Sequence, residues 1–319
     1  MTSVASIFTF LTKRRGGLLT VIGLIFVLTL FGVVVSDKFG TYSNALNILE
    51  QSTPLAIVSL GQTLVIITGG IDLSIGSMVS LASVLLSGIT DGDPVMMYVA
   101  IVTILALGGL IGVINAGASI YLKVHPLIVT LGTGAILQGL TLLYTQTPIG
   151  KMPKGFDELA YGRVLGLPLG AVFTIAVFVL TAIFLRKVPL GRYIYATGDD
   201  AVGAQLMGLP RRKVLFVAYG FCGMMAAVAS IFLVARLGSG QPYTGQNFTL
   251  TSITPVVVGG TLLSGGRGGV IGTLMGVYLV SLLNNLLNFL SLSTHYQLIV
   301  QGLIVIIAVS VYVENKRKV

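Results

Sequence analysis

The sequence predicts an all-α integral membrane protein, on the evidence of its composition and of its repeated apolar stretches. Hydrophobic residues make up 55% of the 319 residues and charged residues only 9%, against roughly 25% charged residues in a soluble domain. The mean hydropathy is +0.97. Apolar stretches near the ~20 residues that cross a bilayer recur along the chain. They predict about ten spans, at 17–36, 52–69, 75–90, 95–121, 126–144, 168–186, 213–236, 249–264, 269–290 and 297–313.

The basic residues predict how the chain is oriented in the membrane. The formal net charge is +9, but the basic residues collect on alternate connecting segments, as the positive-inside rule requires. With both termini placed in the cytoplasm, 14 of the 19 basic residues fall on inner segments. Topology therefore explains the charge, and nucleic acid is not an expected partner. The inner set is Lys13, Arg14, Arg15, Lys123, Arg186, Lys187, Arg192, Arg211, Arg212, Lys213, Arg267, Lys316, Arg317 and Lys318, and the outer set is Lys38, Lys151, Lys154, Arg163 and Arg236.

The stretch from Gly61 to Leu81 holds a single acid between two apolar arms. Its paired glycines, Gly69 and Gly70, predict a break in the helix, and Asp72 follows that break. An acid between two membrane-length arms is costly unless it lies at a helix end, in water or opposite a cation. The stretch is therefore a candidate hinge, pathway element or partner contact.

Local signals also mark the outer segments and the fourth span. Asn44 is placed to cap a short helix at the outer surface, before the second span. Small residues of the fourth span, such as Gly108 and Gly112, predict close packing between helices. The segment at 145–168 predicts either an ordered cap over the outer mouth or a docking surface for an external partner.

The longest inner segment, at 186–213, has the signals of a short helix. Asp199 or Asp200 can cap a helix over residues 201–207, Gly208 can end it, and Pro210 prevents its resumption. A short helix at the inner membrane surface, flanked by basic residues, favours a protein partner. The alternative is an ordinary solvated loop.

The sequence around the first helix break is partly repeated later in the chain, and we call this internal similarity the echo. Aligning residues 69–77 with 265–273 matches the paired glycines and a later Ile-Gly step. Internal repeats with broken helices at corresponding positions are typical of transporters. Arg267 stands one position before the residue that corresponds to Asp72, which suggests as a hypothesis that the two side chains pair.

Motifs for catalysis or for nucleotide binding are absent from the sequence. It contains no Walker phosphate-binding loop, no cluster of Cys and His ligands and no Ser-His-Asp set. Asp72 and Arg267 are the plausible ionisable groups within the membrane, whereas ion-coupled pumps use buried carboxylates at mid-depth. The chain is therefore not expected to be an enzyme or to carry a cofactor or metal, and its energy source is expected on another subunit.

Three motifs resemble one family of membrane proteins. GGIDLSIGS at 69–77, LGRYIYATG at 190–198 and GGTLLSGGRG at 259–268 are similar to the ribose/xylose/arabinose-type permeases of bacterial ATP-binding-cassette importers. The resemblance implies one permease domain over 1–319, in the bacterial inner membrane. It also implies a permease dimer on cytoplasmic ATPase subunits, which hold ATP and Mg, fed by a periplasmic sugar-binding protein.

The same resemblance implies a coupling segment at 190–210, with a helix from Asp200 to Leu209 that fits a groove on the ATPase. Ala201 departs from the pattern, because the ribose permeases tend to have glutamate there. The residues assigned to ATPase coupling are Asp199, Asp200, Ala201, Gly203, Gly208 and Arg211. The two predicted helix breaks are interpreted as a hinge or gate at the inner mouth. Its residues are Gly69, Gly70, Asp72, Gly265, Gly266 and Arg267.

The expected function is import of a ribose-like pentose or hexose by alternating access, driven by partner ATPases. Polar candidates for the substrate pathway are Asn47, Gln62, Thr63, Asn115, Gln138, Asn284, Asn285 and Asn288. For each of them, a hydrogen bond between helices is the alternative role, and the face with Asn284, Asn285 and Asn288 is preferred. Other cargoes are a nucleoside, a furanose signal or another small solute. The rival class is a self-sufficient secondary transporter or channel.

Overall fold

Helices account for most of the computed structural model, which describes residues 16–313. The orientation signals at Lys13, Arg14, Arg15, Lys316, Arg317 and Lys318 lie outside the described residues. The helices are α1 (Gly16–Val35), α2 (Tyr42–Ile67), α3 (Ile75–Thr90), α4 (Pro94–Tyr121), α5 (Pro126–Tyr144), α6 (Glu158–Tyr161), α7 (Leu169–Lys187), α8 (Pro189–Asp199), α9 (Ala201–Leu206), α10 (Arg211–Leu237), α11 (Phe248–Thr251), α12 (Ile253–Val258), α13 (Val270–Phe289) and α14 (Thr294–Val313). Two short strands, β1 (Arg163–Val164) and β2 (Leu167–Pro168), form an antiparallel hairpin.

The long helices confirm the membrane class that composition predicts. Within residues 16–313, five helices are long and apolar enough to cross a bilayer, namely α4, α5, α7, α10 and α13. Shorter apolar helices lie at Leu19–Val35, in α3 and over α11 with α12. The protein is therefore an all-α membrane protein, whereas the total of about ten spans remains a prediction.

Helices α2 and α10 lie at the centre of the bundle. The second half of α2, from Leu55 onward, is buried on all sides, and α10 packs against α2, α3 and α4. The contact between α4 and α10 is tight: a Cβ placed on Gly108 would overlap the Gly223 carbonyl, and one on Gly112 would overlap the Tyr219 carbonyl. The close packing predicted from the glycines of the fourth span is confirmed.

Two predicted helix boundaries are wrong. Asn44 does not cap a helix, because α2 already begins at Tyr42, where the side chain of Thr41 accepts a hydrogen bond from the Asn44 backbone N–H (3.3 Å). This helix then runs on through Pro54 to Ile67, so the predicted surface helix and second span are one element. The predicted span 249–264 ends early, at Val258, because Gly260 adopts a left-handed conformation (φ 90°) that stops the helix.

The segment between α5 and α7 is ordered. It contains α6 and the β1–β2 hairpin, and an isolated bridge pairs Ile149 with Gly240. Phe156 and Ala160 are buried, and α6 packs against both α7 and α10. An ordered segment is what the sequence predicts there, and its role as a cap or docking surface stays a prediction.

Candidate functional site

Both predicted helix breaks are present. The first separates α2 from α3, and the second separates α12 from α13. Gly69 and Gly265, which correspond in the sequence echo, adopt nearly the same left-handed backbone conformation, with φ of 85° and 84°. Only glycine enters this region at no steric cost. The echo therefore reflects a shared local structure.

The two breaks touch each other. The Gly266 N–H donates a hydrogen bond to the carbonyl of Ile67, the last residue of α2 (2.9 Å). A Cβ placed on Gly265 would lie 2.8 Å from the backbone nitrogen of Gly69. This distance is shorter than real Cβ contacts allow. The two backbone segments can approach so closely only because glycine has no Cβ.

A fourth glycine, Gly198 near the end of α8, completes this contact. A Cβ on Gly198 would overlap the Ile67 carbonyl and lie 2.6 Å from the Gly266 nitrogen. The sequence places Gly198 in a motif but does not reveal its contact, because Gly69, Gly198 and Gly265 are far apart in the chain and no periodicity relates them. We call Gly69, Gly198, Gly265 and Gly266 the glycine junction.

The glycine junction also touches the coupling segment. A Cβ on Gly266 would lie 2.6 Å from the Cα of Asp199, and the φ of Gly266 is 73°. Asp199 is the last residue of α8, directly before the cap of α9. The predicted gate and the predicted coupling residues are therefore in direct backbone contact.

Asp72 is held inside the first break by neutral hydrogen-bond donors. Its side chain is 1% exposed and accepts hydrogen bonds from the Ser74 backbone N–H (2.9 Å) and hydroxyl (2.6 Å). Asn115 of α4 donates to the same hydroxyl (2.9 Å), and the Leu73 N–H donates to the Thr130 hydroxyl of α5 (3.1 Å). The break is thereby tied to two neighbouring helices.

The hypothesis that Asp72 pairs with Arg267 has no support in the structure. Asp72 is buried and bonded to Ser74, whereas Arg267 is exposed. Burying a guanidinium beside Asp72 would require desolvating a second charge. The carboxylate instead accepts a hydrogen bond from the Ser74 hydroxyl, which accepts one from Asn115. The corresponding positions of the echo thus share backbone geometry without sharing a charge pair.

The short inner helix is present as α9, and Asp200 is its cap. The Asp200 carboxylate accepts hydrogen bonds from the N–H groups of Val202 (3.0 Å) and Gly203 (2.9 Å). The helix ends at Leu206, and Gly208 follows with φ 75°. The prediction of a helix with these start and stop signals is confirmed, and Asp200 rather than Asp199 is the capping residue.

Helix α9 presents an apolar surface to its surroundings. Val202, Leu206 and Met207 are 69%, 84% and 73% exposed. Asp199, Asp200 and the first residue of α10, Arg211, are exposed around it, while Ala201 and Gly203 are intermediate. Exposing three large apolar side chains to water within so short a segment is costly. Such an exposed apolar patch is typical of a contact surface.

A polar cavity of about 220 Å³ lies between the first half of α2 and the second half of α13. Three predicted pathway residues, Asn284, Asn285 and Asn288, line it together. They share one face of α13 with Ser281, because positions i, i+3, i+4 and i+7 align on a helix. That spacing was a signal by which Ser281 could have been found. The remaining lining residues are Ile48, Gln51, Leu55, Asn247, Phe248, Thr251, Gln297 and Leu298.

Some of these amides also join helices. Asn285 and Asn44 exchange two hydrogen bonds of 3.0 Å, which connect α13 to α2. Gln297 of α14 donates to Asn288 (2.6 Å). The cavity is therefore built from side chains that already hold its walls together, and a bound solute would exchange hydrogen bonds with a preformed polar surface.

The other predicted pathway residues do not line this cavity. Asn47 accepts a hydrogen bond from Gln51 (2.6 Å), and Gln62 is fully buried beside Cys222, whose sulfur lies 3.6 Å from its carbonyl oxygen. Three more make interhelical or loop contacts, which was the alternative role considered for them. Thr63 shares a hydrogen bond with Thr273 (2.8 Å), Asn115 binds Ser74, and Gln138 donates to the Pro242 carbonyl (3.1 Å).

The cavity and the glycine junction lie at opposite ends of the same helices. Along α13, about 15 residues separate Val270 from Asn285, which is roughly 22 Å at 1.5 Å per residue. Helix α2 likewise carries Gln51 near its start and leads into the junction after Ile67. Helices α2 and α13 therefore connect the glycine junction to the cavity.

Comparison with known proteins gives matches over nearly the whole chain. A family model described as "Branched-chain amino acid transport system / permease component" matches residues 44–309. The chain is 39% identical over 305 residues to the ribose import permease protein RbsC of Escherichia coli K12, covering 92% of this chain and 93% of that protein. It is 38% identical over 290 residues to RbsC of Bacillus subtilis 168, covering 89% of each.

A third relative is the autoinducer 2 import system permease protein LsrD of Escherichia coli O9:H4. It is 35% identical over 275 residues, which cover 83% of each chain. No solved structure matches.

Proposed function

We propose a function from the premise that this chain belongs to the permease-component family of branched-chain amino acid transport systems. The chain is the permease subunit of an ATP-binding-cassette importer, and it moves a ribose-like pentose or hexose across the inner membrane. The observation that carries the proposal is the similarity to ribose import permeases, at 38–39% identity over about nine tenths of the chain.

The polar cavity supports an uncharged, hydroxyl-rich cargo. Of the described residues that line it, none carries a charge, and amides and hydroxyls such as Asn284, Asn247 and Ser281 both donate and accept hydrogen bonds. Two charges of a zwitterionic amino acid are costly to bury in a cavity whose described lining carries no charge to pair with them. A sugar requires only neutral donors and acceptors. We therefore prefer a sugar to the amino acids that the family description names.

A second cargo follows from a specific relative. The similarity to the autoinducer 2 import permease LsrD favours a furanose-like signal as the runner-up, with a nucleoside or another small neutral solute in the same class. The cavity is compatible with a furanose and with a nucleoside, because both present hydroxyl groups to its amide wall.

The coupling assignment rests on α9 and the glycine junction. We assign the exposed face of Val202, Leu206 and Met207 to a groove on the ATPase, with Asp199, Asp200, Ala201, Gly203, Gly208 and Arg211 forming and flanking this helix. A push on α9 reaches α8, whose Gly198 abuts both helix breaks. Both breaks then move together, which is the mechanical basis proposed for alternating access.

The proposed assembly extends the described bundle. One permease domain over 1–319 has about ten spans, with both termini in the cytoplasm and 190–210 facing the ATPase. Two permease copies associate as a homodimer or close heterodimer. Cytoplasmic ATPase subunits bind ATP and Mg and perform the hydrolysis, and a periplasmic binding protein delivers the solute.

Reconstitution of the transporter tests this proposal. The chain is purified with the ATPase and binding protein encoded beside it, placed in proteoliposomes, and assayed for uptake of labelled ribose, with branched-chain amino acids and a nucleoside as competitors. We expect uptake that requires ATP, the ATPase and the binding protein, and that excess ribose suppresses. Uptake by the chain alone without ATP would refute the importer and support the secondary-transporter class. ATP-dependent uptake that only another competitor suppresses would retain the machine and overturn the cargo.

A further inference from the structure

A groove of about 300 Å³ runs along the contact between α7 and α13. Its wall is almost entirely aliphatic and aromatic, and the groove is open along its side rather than closed inside the bundle. Ile175, Val179 and Ile183 form one stripe of α7 and are each about half exposed. Phe178 forms the buried floor (3% exposed). The lining residues are Ile175, Phe178, Val179, Ala182, Ile183, Arg186, Lys187, Val270, Ile271 and Leu274.

Positive charge is concentrated at one end of this groove. Arg186 and Lys187 are the last two residues of α7, and both line the groove and are exposed. The first turn of α13, at Val270 and Ile271, lies at the same end with the positive end of its helix dipole, and the negative end of the α7 dipole lies beside the two cations. Among the described lining residues there is no acid to neutralise the two cations. The groove therefore combines a long apolar surface with an unpaired cationic end.

We infer that this groove binds an anionic phospholipid, with an acyl chain along the stripe of Ile175, Val179 and Ile183 and the headgroup phosphate at Arg186 and Lys187. Basic pockets between membrane helices bind anionic headgroups in this way. A phosphate group accepts hydrogen bonds from a guanidinium and an ammonium together, while the acyl chain covers apolar surface that a free anion would leave exposed.

A second copy of the chain is a less suitable occupant of the groove. In a two-fold symmetric interface the same patch of both copies meets. Arg186 and Lys187 of one copy would then approach the same cations of the other, in a groove whose described lining offers no acid. Repulsion between these like charges opposes that arrangement, whereas a lipid phosphate removes it.

Retention of lipid by the purified protein tests the inference. The wild-type chain and the double variant Arg186→Gln/Lys187→Gln are exchanged into mixed micelles of phosphatidylglycerol and phosphatidylcholine, and bound lipid is counted by native mass spectrometry. We expect preferential retention of phosphatidylglycerol by the wild type. The double variant should bind it about 30-fold more weakly, from the attraction lost with two basic residues near an anionic headgroup.

Two further variants make the result specific to the groove. Lys151→Gln/Lys154→Gln removes the same charge on the segment between α5 and α7 and should leave retention unchanged. Val179→Phe fills the groove at an exposed position without altering charge, and should lower retention of phosphatidylglycerol. Size-exclusion chromatography verifies that each variant is folded.

Three results would overturn the inference. The first is equal wild-type retention of the two lipids. The second is unchanged phosphatidylglycerol retention in Arg186→Gln/Lys187→Gln. The third is a Val179→Phe variant that retains the lipid but has an altered oligomeric mass, since the groove would then belong to an interface between copies.

Discussion

Replacing Gly198 with alanine is the sharpest test of the glycine junction. Gly198 lies in α8, where alanine alone would favour the helix by up to about 1 kcal/mol. Its new Cβ would instead overlap the Ile67 carbonyl and lie 2.6 Å from the Gly266 nitrogen. Both are backbone atoms of other segments, so no side chain can rotate away to make room. The helix break and α8 must separate.

The structure sets the size of the effect. Overpacking of a close-packed contact costs about 1–3 kcal/mol, and separation also weakens the hydrogen bond from Gly266 to Ile67 (2.9 Å), which contributes about 0.5–1.5 kcal/mol. After subtraction of the helix-propensity gain, the variant should be destabilised by about 2 kcal/mol. The steric effect therefore outweighs the propensity.

Two assays on the reconstituted transporter separate stability from coupling. Thermal melting should show a lower midpoint for Gly198→Ala, and the solute imported per ATP hydrolysed should fall, because α8 links α9 to both breaks. Gly132→Ala on α5 is the matched control, since a Cβ there meets no atom within 4 Å. Wild-type melting and wild-type coupling in Gly198→Ala would refute the reasoning.

Three other predictions concern the cap, the central packing and the cavity wall. Asp200→Ala removes the cap of α9, which should cost about 1 kcal/mol and reduce the ATPase recovered by co-purification. Gly112→Ala should destabilise the α4–α10 contact by about 1–3 kcal/mol, measured by thermal melting, because its Cβ would overlap the Tyr219 carbonyl. Asn285→Ala and Asn44→Ala should show a coupling of about 0.6 kcal/mol in a double-mutant cycle of stability, because each loses both hydrogen bonds of the pair.

Each of these predictions has a control. Asp200→Asn keeps a capping oxygen and should retain the ATPase, so equal loss in both variants would contradict the capping role. Gly109→Ala adds a Cβ where no atom lies within 4 Å, and it should melt like the wild type. Equal melting of Gly109→Ala and Gly112→Ala would contradict the close packing. Additive effects of the two asparagine variants would contradict their pairing.

Local signals explain which elements were predictable. Helix α9 could be predicted because its end signals are local. Asp200 accepts hydrogen bonds from the N–H groups of Val202 and Gly203, and Gly208 ends the helix by its left-handed backbone conformation. The breaks could be predicted because glycine pairs interrupt apolar arms. The full extent of α2 could not be predicted from local signals, because the predicted surface helix and the span from residue 52 are one continuous helix that runs through Pro54.

Contacts between distant segments explain which parts of the site were missed. Asn284, Asn285 and Asn288 share a helix face that periodicity reveals, but Asn247 and Gln297 join the same cavity from other elements. The pairing hypothesis for Asp72 and Arg267 was based on aligned positions, whereas Asp72 lies among the side chains of Ser74 and Asn115.

By itself, the sequence determined the membrane class, the two breaks and the short capped helix, because hydropathy, glycine conformation and helix capping act over a few neighbouring residues. Only the tertiary structure decided that Gly69, Gly198, Gly265 and Gly266 meet. Such a meeting depends on the packing of α2, α8 and α12, which are far apart in the chain. A glycine that permits a turn and one that permits a neighbouring backbone to approach are identical in sequence, and the packed bundle distinguishes them.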